Sequence, residues 1–476
     1  MTTTYGVSSV AEFLLQPPQS AGTPTGQGDW HLVVEILHPE PGSALWGIDY
    51  WNESVWGAID WQPLTDRVRG MEWMRGSDEI FGRPRVGYIA LTLDDNDGEM
   101  DPWTSGSAQY LAPGTVLRAG LTSATGIVDA DYGTVTWLPQ WTGIVESWAP
   151  VIATSNAADR FVEVRLNETV RDLSQIDEVA LAAPVGSGEG SSARAERLLT
   201  AANWPYGYLL EAQQLVPAPA TMYPLQSTDM AQNRLAELYL TADSSDSQFR
   251  SIRDGRASLT ASEYIGNVGD ADADVWPLVL TSWYPESGYR VPSVHLDNED
   301  LTIDSGAGGL QQNVAFRPET FRSQSQDIEI SNIVTISRVG GIPQQYRQEY
   351  SIERYGPRAY VRSDYLNTND AITLQFAQYI SVRRALSTLR LEAVTVDTWA
   401  RSLQSFLAVV SLEPTNRAVV RSPLGASPRP EIIGQVASIV HRVSPRVSGA
   451  SLLWETDIRV DTRTIYGVPG AQLPAS

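Results

Sequence analysis

The chain has 476 residues, 42% of them hydrophobic and 19% charged, which is typical of a folded globular protein with about two to four domains. It contains no cysteine, and all 34 of its basic residues are arginine, so disulfides, thiolate nucleophiles and Schiff-base lysines are excluded. With 56 acidic residues the formal net charge is −22, which argues against a tightly bound nucleic acid because phosphate binding needs clustered cations.

Residues 1–28 are rich in Thr, Ser, Pro, Gly and Gln and are predicted to form an irregular N-terminal arm. The arm lacks the basic segment with which a secretory signal begins. Apolar runs elsewhere in the chain are short and interrupted, so we expect no membrane-spanning segment.

Residues 29–181 are predicted to form a first β domain, which holds most of the tryptophans. Ten of the fifteen tryptophans lie between Trp30 and Trp148. Four of them recur every five residues, namely Trp46, Trp51, Trp56 and Trp61. This spacing places them on no single face of a strand or a helix. We interpret the four as candidate interface residues; the alternative is a platform on which sugars stack.

Alternation of apolar and polar residues predicts the strands of this domain. Val86–Leu93 alternates toward an Asp-Asn-Asp-Gly turn, which is a hairpin signal. The other strands are predicted at His31–His38, Thr115–Leu121, Trp137–Val145 and Phe161–Val170.

The turn after Leu93 is strongly acidic and is a candidate surface or lumen feature. Its carboxylates belong to Asp94, Asp95, Asp97, Glu99 and Asp101. A calcium loop with its glycine at Gly98 would have Leu93 at the first ligand position and Thr104 at the twelfth. Neither residue is the carboxylate that such a loop needs there. We therefore predict a connector between strands, exposed to solvent or to a neighbouring subunit.

Residues 182–330 are predicted to form an α+β middle region. A Pro/Gly/Ser-rich linker opens it at Ala182–Ser192, and a helix with apolar residues at helical spacing begins near Ser192. A second helix is predicted after Ser227. Further on, the turn residues Asp254 and Gly255 predict a β-hairpin.

Residues 331–476 are predicted to form a second β domain. It begins with the strand NIVTISRV after Ser331, and a helix capped by Thr368 or Asn369 follows over Asn369–Leu386. The later strands are predicted at Leu389–Val396, Arg417–Arg421, Ile432–Val443 and Ser451–Val460.

The two ends of the chain carry similar trios of strands. Each trio has a short strand, a strand that contains Gly-x-Val, and a long alternating strand. The two Gly-x-Val segments are Gly143–Val145 and Gly434–Val436. Identity between the trios is low, so a duplicated domain and a chance likeness between β-proteins both stay open.

No catalytic motif is present. The four histidines form no metal-ligand pair and are His31, His38, His295 and His441. The segment Gly186–Gly188 lacks the Gly-x-Ser-x-Gly spacing of a nucleophile elbow, and no phosphate loop or dinucleotide motif occurs. We therefore assign no catalytic, cofactor-binding or metal-binding residue, and we expect no enzymatic activity.

Several segments, taken in order, resemble the tail hub (baseplate hub) or minor tail proteins of siphophages, especially phages of actinobacteria. They are WQPLTDRVRGMEWMRG (Trp61–Gly76), RVGYIALTLDDNDGEMDPW (Arg85–Trp103), APGTVLRAGL (Ala112–Leu121), WTGIVESW (Trp141–Trp148), RLLTAANWP (Arg197–Pro205), FRSIRDGRASL (Phe249–Leu259), NIVTISRVGG (Asn332–Gly341) and ERYGPR (Glu353–Arg358). The resemblance spans residues 60–470 and is carried by the order of the segments. Two stretches depart from the family pattern, Glu99–Asp101 and Trp46–Trp61, and both concern surface contacts.

The resemblance implies a mainly β fold with an α+β middle region, in which two tube-like β-barrel domains flank smaller α+β insertions. It also implies a homotrimeric hub at the virion tail tip, assembled in the host cytoplasm. The first and last domains would form a pseudo-sixfold ring that joins the tail tube or distal tail protein to a threefold tip.

Further implied partners are the C-terminus of the tape measure protein and other tail-tip proteins or fibres. DNA would be a transient passenger through an ejection channel. An acidic lumen would repel a polyanion and so let it pass without binding.

Two other function classes stay open from the sequence. A carbohydrate-binding tail-tip protein would use the tryptophans to adsorb to the host cell wall. A cell-wall hydrolase would need two opposed carboxylates in a cleft. With 56 acidic residues some pair always looks suitable, so that signal carries little weight.

Overall fold

Most of the described chain is β-structure. The computed structural model describes residues 3–6, 18, 22–24, 28–39, 59–77, 85–102, 111–129, 133–152, 160–177, 181, 183–211, 224–230, 232–245, 247–261, 294–296, 315–316, 320–326, 330–385, 388–398, 403–410, 412–414, 417–421, 431–445 and 452–466. The strands within these ranges are β1 (Thr3–Gly6), β2 (Thr23–Pro24), β3 (Trp30–Pro39), β4 (Ile59–Pro63), β5 (Val68–Gly76), β6 (Arg85–Asp94), β7 (Val116–Asp129), β8 (Gly133–Ile152), β9 (Arg160–Glu168), β10 (Tyr208–Glu211), β11 (Ser247–Ser251), β12 (Ala257–Ala261), β13 (Val294–Leu296), β14 (Ala315–Phe316), β15 (Thr320–Gln326), β16 (Ile333–Arg338), β17 (Gln344–Arg347), β18 (Ala359–Tyr365), β19 (Thr388–Asp397), β20 (Arg417–Arg421), β21 (Glu431–Pro445) and β22 (Leu452–Tyr466). The α-helices are α1 (Ser191–Ala201), α2 (Arg234–Asp243), α3 (Glu349–Tyr355), α4 (Asp370–Arg384) and α5 (Leu403–Val410).

Five strands near each end of the chain have the same spatial order. In the first set the order is β5-β6-β9-β8-β7, and in the second it is β15-β19-β22-β21-β20. Numbered along the chain, both sets read 1-2-5-4-3, and every neighbouring pair is antiparallel. We call the first set (β5–β9) the first β unit and the second set (β15 with β19–β22) the last β unit.

The two β units also share a β-bulge. In β8 the register against β9 shifts within GIVES (Gly143–Ser147), between Val145 and Ser147. In β21 the register against β22 shifts within GQVAS (Gly434–Ser438), at the same place in the motif. A bulge is a specific feature of one strand position. The equal strand order and the equal bulge therefore favour a duplicated domain over a chance likeness.

The two β units are joined edge to edge. β5 pairs antiparallel with β21, from Gly76 opposite Ser438 to Met71 opposite Val443. Gly76 has a φ of 106°, and a Cβ there would lie 2.1 Å from the carbonyl oxygen of Ala437, so this close approach requires glycine. One 15-stranded sheet consequently contains both units.

A single hydrophobic core lies against both units. Its buried residues include Trp73 and Leu91 of the first unit, Val443 and Trp454 of the last, and Phe406 of α5. The Trp73 and Trp454 rings meet edge to face with centroids 5.4 Å apart. Because the two units share a core as well as a sheet, neither can move without disturbing the packing of the other.

Two smaller sheets lie outside the large one. The first has the order β1-β10-β12-β11 and packs with α1 and α2 around a second core. The second has the order β17-β16-β18 and is covered by α4, whose Phe376 and Ile380 pack with Val334 and Ile336.

The structure corrects the expectation of two tube-like β-barrels. Among the described strands the large sheet does not close on itself. The reason is that the outer edge of β5 pairs with β21 instead of returning to the far end of its own unit. The first and last β domains are therefore open units of one sheet.

Two boundary predictions also change. The strand after Ser331 is β16, and it lies in the small three-stranded sheet, whereas the last β unit begins with β15. The α+β segment of residues 330–385 thus lies between β15 and β19, inside the last β unit, whereas the sequence predicts the second β domain to begin at residue 331. In the arm that was predicted to be irregular, Thr3–Gly6 pairs with Tyr208–Glu211 as β1.

Other predicted elements are found close to their predicted positions. The hairpin at Asp254 and Gly255 forms between β11 and β12. The helix predicted over Asn369–Leu386 runs over Asp370–Arg384, and Asn369 is its cap because its side chain accepts a hydrogen bond from the Ala371 N–H at 2.8 Å.

Truncating Trp454 tests whether the shared core holds both units. Trp454 is 1% exposed, and Leu453 beside it on the same strand is 41% exposed. We expect Trp454→Ala to lower the free energy of unfolding by about 3–5 kcal/mol and Leu453→Ala to change it by less than about 0.5 kcal/mol. Urea unfolding followed by tryptophan fluorescence measures both, and equal effects would contradict the shared core.

Candidate functional site

Buried charged side chains meet where the two β units join. Arg75 comes from β5, Glu168 from the end of β9, and Arg253 from the β11–β12 hairpin. Glu413 comes from the segment after α5, and His441 from β21. All five side chains are at most 5% exposed, so the cluster belongs to the interior although its members come from five separate segments between residues 75 and 441.

Arg75 connects three regions of the chain. Its Nη1 donates to Glu413 Oε1 at 2.5 Å and its Nε to Glu168 Oε1 at 3.2 Å. Its Nη2 donates to the carbonyl oxygen of Ser251 in the hairpin at 2.9 Å. One guanidinium group therefore links the first unit, the middle region and the last unit, and its planar fork of donors suits this better than an ammonium group.

The hairpin reaches into the last unit through two further arginines. Arg253 Nε donates to Glu413 Oε1 at 2.7 Å, and its Nη1 and Nη2 donate to the carbonyl oxygens of Val410 at 3.1 Å and Leu412 at 3.3 Å. Arg250 donates to the carbonyl oxygen of Pro414. These bonds fix Val410 and residues 412–414, which follow α5, against the middle region.

The two carboxylates of the cluster have opposite pKa shifts. Burial alone would raise the pKa of Glu413, but Arg75, Arg253 and Arg250 outweigh it and hold that pKa well below its usual range. Burial raises the pKa of Glu168, and Arg75 and the Gly87 N–H, which donates to it at 2.9 Å, offset this only in part. Glu413 is therefore the firmly ionised centre of the network.

His441 is held in its neutral form. Burial, with the positive charges of Arg253 and Arg75, lowers its pKa to about 3. The Trp454 Nε1–H donates to His441 Nδ1 at 3.2 Å, and the Thr456 hydroxyl oxygen lies 2.9 Å from the same nitrogen. Trp73 stacks on the ring with centroids 4.6 Å apart.

The network has little room for a substrate. A cavity of about 10 Å³ lies among Arg75, Arg253, Gln140 and His441, which is about the size of one water molecule. The side chains around it are fixed by packing and ion pairs. The arrangement can hold elements together and transmit force between them; it offers no space for an organic ligand.

Of the four candidate interface tryptophans, Trp46, Trp51 and Trp56 lie outside the described residues, and Trp61 lies on β4. The guanidinium carbon of Arg118 sits 4.0 Å from the centre of the Trp61 ring. Arg118 is itself buried and pairs with Glu35 at 2.7 Å. Trp61 thus takes part in an internal cation–π contact.

The carboxylates of the acidic turn pair with three arginines, of which Arg67 lies just before β5, Arg69 on β5 and Arg160 on β9. Arg67 pairs with Asp97 at 2.8 Å and Glu99 at 2.6 Å, and Arg69 pairs with Asp94. Arg160 of β9 pairs with the other two carboxylates, Asp95 at 3.2 Å and Asp101 at 3.4 Å.

Asp95 differs from its neighbours in the turn because it is buried. Its side chain is 1% exposed, and its carboxylate also accepts from the Met100 N–H at 2.8 Å. Asp95 therefore shapes the turn from within and is not part of an acidic surface. Asp97 and Glu99, with side chains 49% and 67% exposed, do reach the surface.

In the described ranges no group of three or more His, Asp or Glu side chains could hold a metal ion. No helix in the described part of the chain is long and apolar enough to cross a membrane.

Sequence reasoning missed the buried network. FRSIRDGRASL (Phe249–Leu259) was assigned as a hairpin, and its three arginines around one turn were the signal that it carries more than a turn. Arg250 and Arg253 bond to residues about 160 positions further along, in a stretch with no motif, whereas Arg256 pairs with Asp254 in the turn itself. Only the three-dimensional arrangement identifies them.

No protein-family model and no curated protein matches the chain. Among the solved structures that resemble it, two are tail proteins with 13% sequence identity each. The crystal structure of the tail protein from Neisseria meningitidis MC58 has a TM-score of 0.49, covering 90% of this chain and 96% of that one. The crystal structure of the prophage MuSo2 43 kDa tail protein from Shewanella oneidensis has a TM-score of 0.46, covering 90% and 98%. At this identity and these TM-scores the likeness assigns no family and no function to the chain.

Removing the charge of Glu413 tests the network. Glu413→Gln keeps the shape but leaves buried guanidinium groups without their carboxylate, so we expect the free energy of unfolding to fall by about 3–5 kcal/mol. Glu349→Gln is the matched control, because Glu349 pairs with Arg347 at a surface position where its side chain is 67% exposed. Urea unfolding compares the two; a Glu413 effect no larger than that of the control would contradict the assigned role.

His441 predicts a pH dependence. Its folded pKa of about 3 lies below that of a histidine in an unfolded chain, about 6.5. As the pH falls below about 6.5 the unfolded chain therefore binds the proton first, and the folded state loses stability. Between pH 6 and pH 5 we expect His441→Gln to remove about 1 kcal/mol per pH unit from this slope. Urea unfolding at both pH values measures it, and identical slopes would contradict the buried neutral histidine.

Proposed function

We propose that the chain is a structural component of a phage tail without enzymatic activity of its own. More specifically, we propose a homotrimeric hub at the tail tip, which joins the sixfold tail tube or distal tail ring to a threefold tip. The observation that carries this proposal is the presence of two β units with the same strand order and the same bulge in one chain.

The duplication gives a reason for the trimer. Three copies of a chain with two similar units place six similar units around one axis. A sixfold ring can then bind the same kind of surface six times, although the hub itself has threefold symmetry. The ordered resemblance of segments between residues 60 and 470 to tail hub proteins supports the same assignment.

The junction between the two β units is held by several kinds of contact, as expected for a protein that transmits force between its neighbours. The β5–β21 pairing, the shared core around Trp73 and Trp454, and the network around Glu413 hold the two units at a fixed angle. A coupling piece between two symmetries needs this property, since its two halves must keep their relative position while DNA passes.

The proposed partners follow from this place in the virion. They are two further copies of the chain, a tail tube or distal tail protein, the C-terminus of the tape measure protein, and other tip proteins or fibres. The hub would surround part of the DNA-ejection channel, with DNA as a passenger.

The oligomeric state tests the proposal. We expect the purified full-length chain to have three times the chain mass by light scattering and to appear as a ring with a central opening in electron micrographs. We also expect it to bind the hexameric tail tube or distal tail protein of the same phage. A stable monomer that binds neither would overturn the hub assignment.

The same mass measurement tests the candidate interface. Replacing Trp46, Trp51 and Trp56 together by alanine is expected to weaken the trimer. Tyr350→Ala is the control, because Tyr350 is an aromatic residue of α3 that is 52% exposed.

A further inference from the structure

We propose that copies of the chain join through strand pairing between β15 of one copy and the segment Ser147–Ile152 of β8 in the next copy. The partner is thus a second copy of this chain. The inference rests on the proposed trimer and adds to it the strands and the register by which the copies meet.

The internal junction provides the template. β5 is the first strand of the first β unit, and it pairs with the part of β21 that follows the bulge, Ser438–Val443. In the last β unit the strand equivalent to β5 is β15, and in the first β unit the strand equivalent to β21 is β8. Aligning the two bulges makes Ser147–Ile152 the equivalent of Ser438–Val443.

Both proposed edges lack a pairing partner among the described strands. β15 pairs with β19 along one edge, and no described strand pairs with its other edge. Ser147–Ile152 pairs with β9 along one edge, whereas the pairing with β7 ends at Ile144. Unpaired backbone donors and acceptors along a strand edge are a template for pairing with another chain.

The exposure of Ile152 on β8 agrees with a contact surface that a second copy covers. Ile152 is 67% exposed, although its equivalent Val443 is 2% exposed because β5 packs beside it. A large apolar side chain left exposed at the end of a strand favours burial by a neighbouring element.

The equivalence fixes the register. The strands β5, β6 and β9 of the first unit are equivalent to β15, β19 and β22 of the last unit. When paired residues are matched from strand to strand in each unit, Phe321 occupies the position of Met71. Met71 lies opposite Val443, so Phe321 of one copy lies opposite Ile152 of the next. In the same register Gln326 lies opposite Ser147.

Such a contact is head-to-tail, because each copy offers β15 to one neighbour and β8 to the other. Head-to-tail contacts generate a ring when the rotation closes. In a trimer the ring has six similar junctions, of which three are the internal β5–β21 pairing and three are the proposed β15–β8 pairing.

Engineered cysteines test the register on a chain that has no cysteine of its own. Opposed residues of an antiparallel pair have Cα atoms about 4.5–5.5 Å apart, within the range of a disulfide. The full-length double variant Ile152→Cys with Phe321→Cys is oxidised mildly and run on a denaturing gel without reductant. We expect covalent dimers and trimers in place of most of the monomer band, and their loss when reductant is added.

Two controls make the result specific. Ile152→Cys paired with Gln324→Cys is three residues out of register, or about 10 Å away along the strand, and we expect at least about tenfold less cross-linking. Each single variant can give only dimers through chance collisions, so mixing the two single variants should give mixed dimers and no covalent trimer.

Light scattering on the same preparations separates the two proposals. A trimer that does not cross-link, or that cross-links equally out of register, overturns the β15–β8 pairing and leaves the hub intact. A monomer overturns the hub and with it the pairing.

Discussion

One buried carboxylate, that of Glu413, holds together parts of the chain that are far apart in sequence. It accepts hydrogen bonds from Arg75 of the first β unit and from Arg253 of the middle region. Charges removed from water are costly unless they are paired in good geometry, so each of these side chains is tolerated only with the others in place. The assembly of three regions into one body is thereby made all-or-none.

The internal junction buries charged residues, whereas the equivalent positions at the proposed junction between copies are occupied by neutral residues. Glu168 lies opposite Gly143 in the first unit, and the equivalent residue opposite Gly434 in the last unit is Thr462. The position of Arg75 corresponds to Ser325. The internal junction forms once, during folding, and can bury charges permanently. A junction between copies must first be exposed to water on separate chains, and neutral residues lower the desolvation cost of forming it.

Local patterns in the sequence predicted the elements that depend on nearby residues. The cap at Asn369, the hairpin at Asp254 and Gly255, and the alternation in β6 can each be recognised within a stretch of about fifteen residues. The β5–β21 pairing joins residues more than 360 positions apart, and nothing in either strand marks its partner. The expected closed barrels were wrong for the same reason. A strand's pattern states which face is buried, but not which edge another strand will occupy.

The candidate site could be predicted from the sequence only in part, for the same reason. Residue type located the acidic turn, but composition could not show that Arg67, Arg69 and Arg160 would face its carboxylates. That pairing bears on the hypothesis of an acidic lumen, because three guanidinium groups offset three of the five carboxylates and leave the turn with a net charge of only about −2. The excess negative charge must lie elsewhere. Residues 262–314 contain nine Asp or Glu and a single Arg, and so hold more than a third of the net charge of −22. By charge alone, this segment contributes about four times as much net negative charge to the chain as the turn after β6, so the hypothesis of an acidic lumen depends little on the turn.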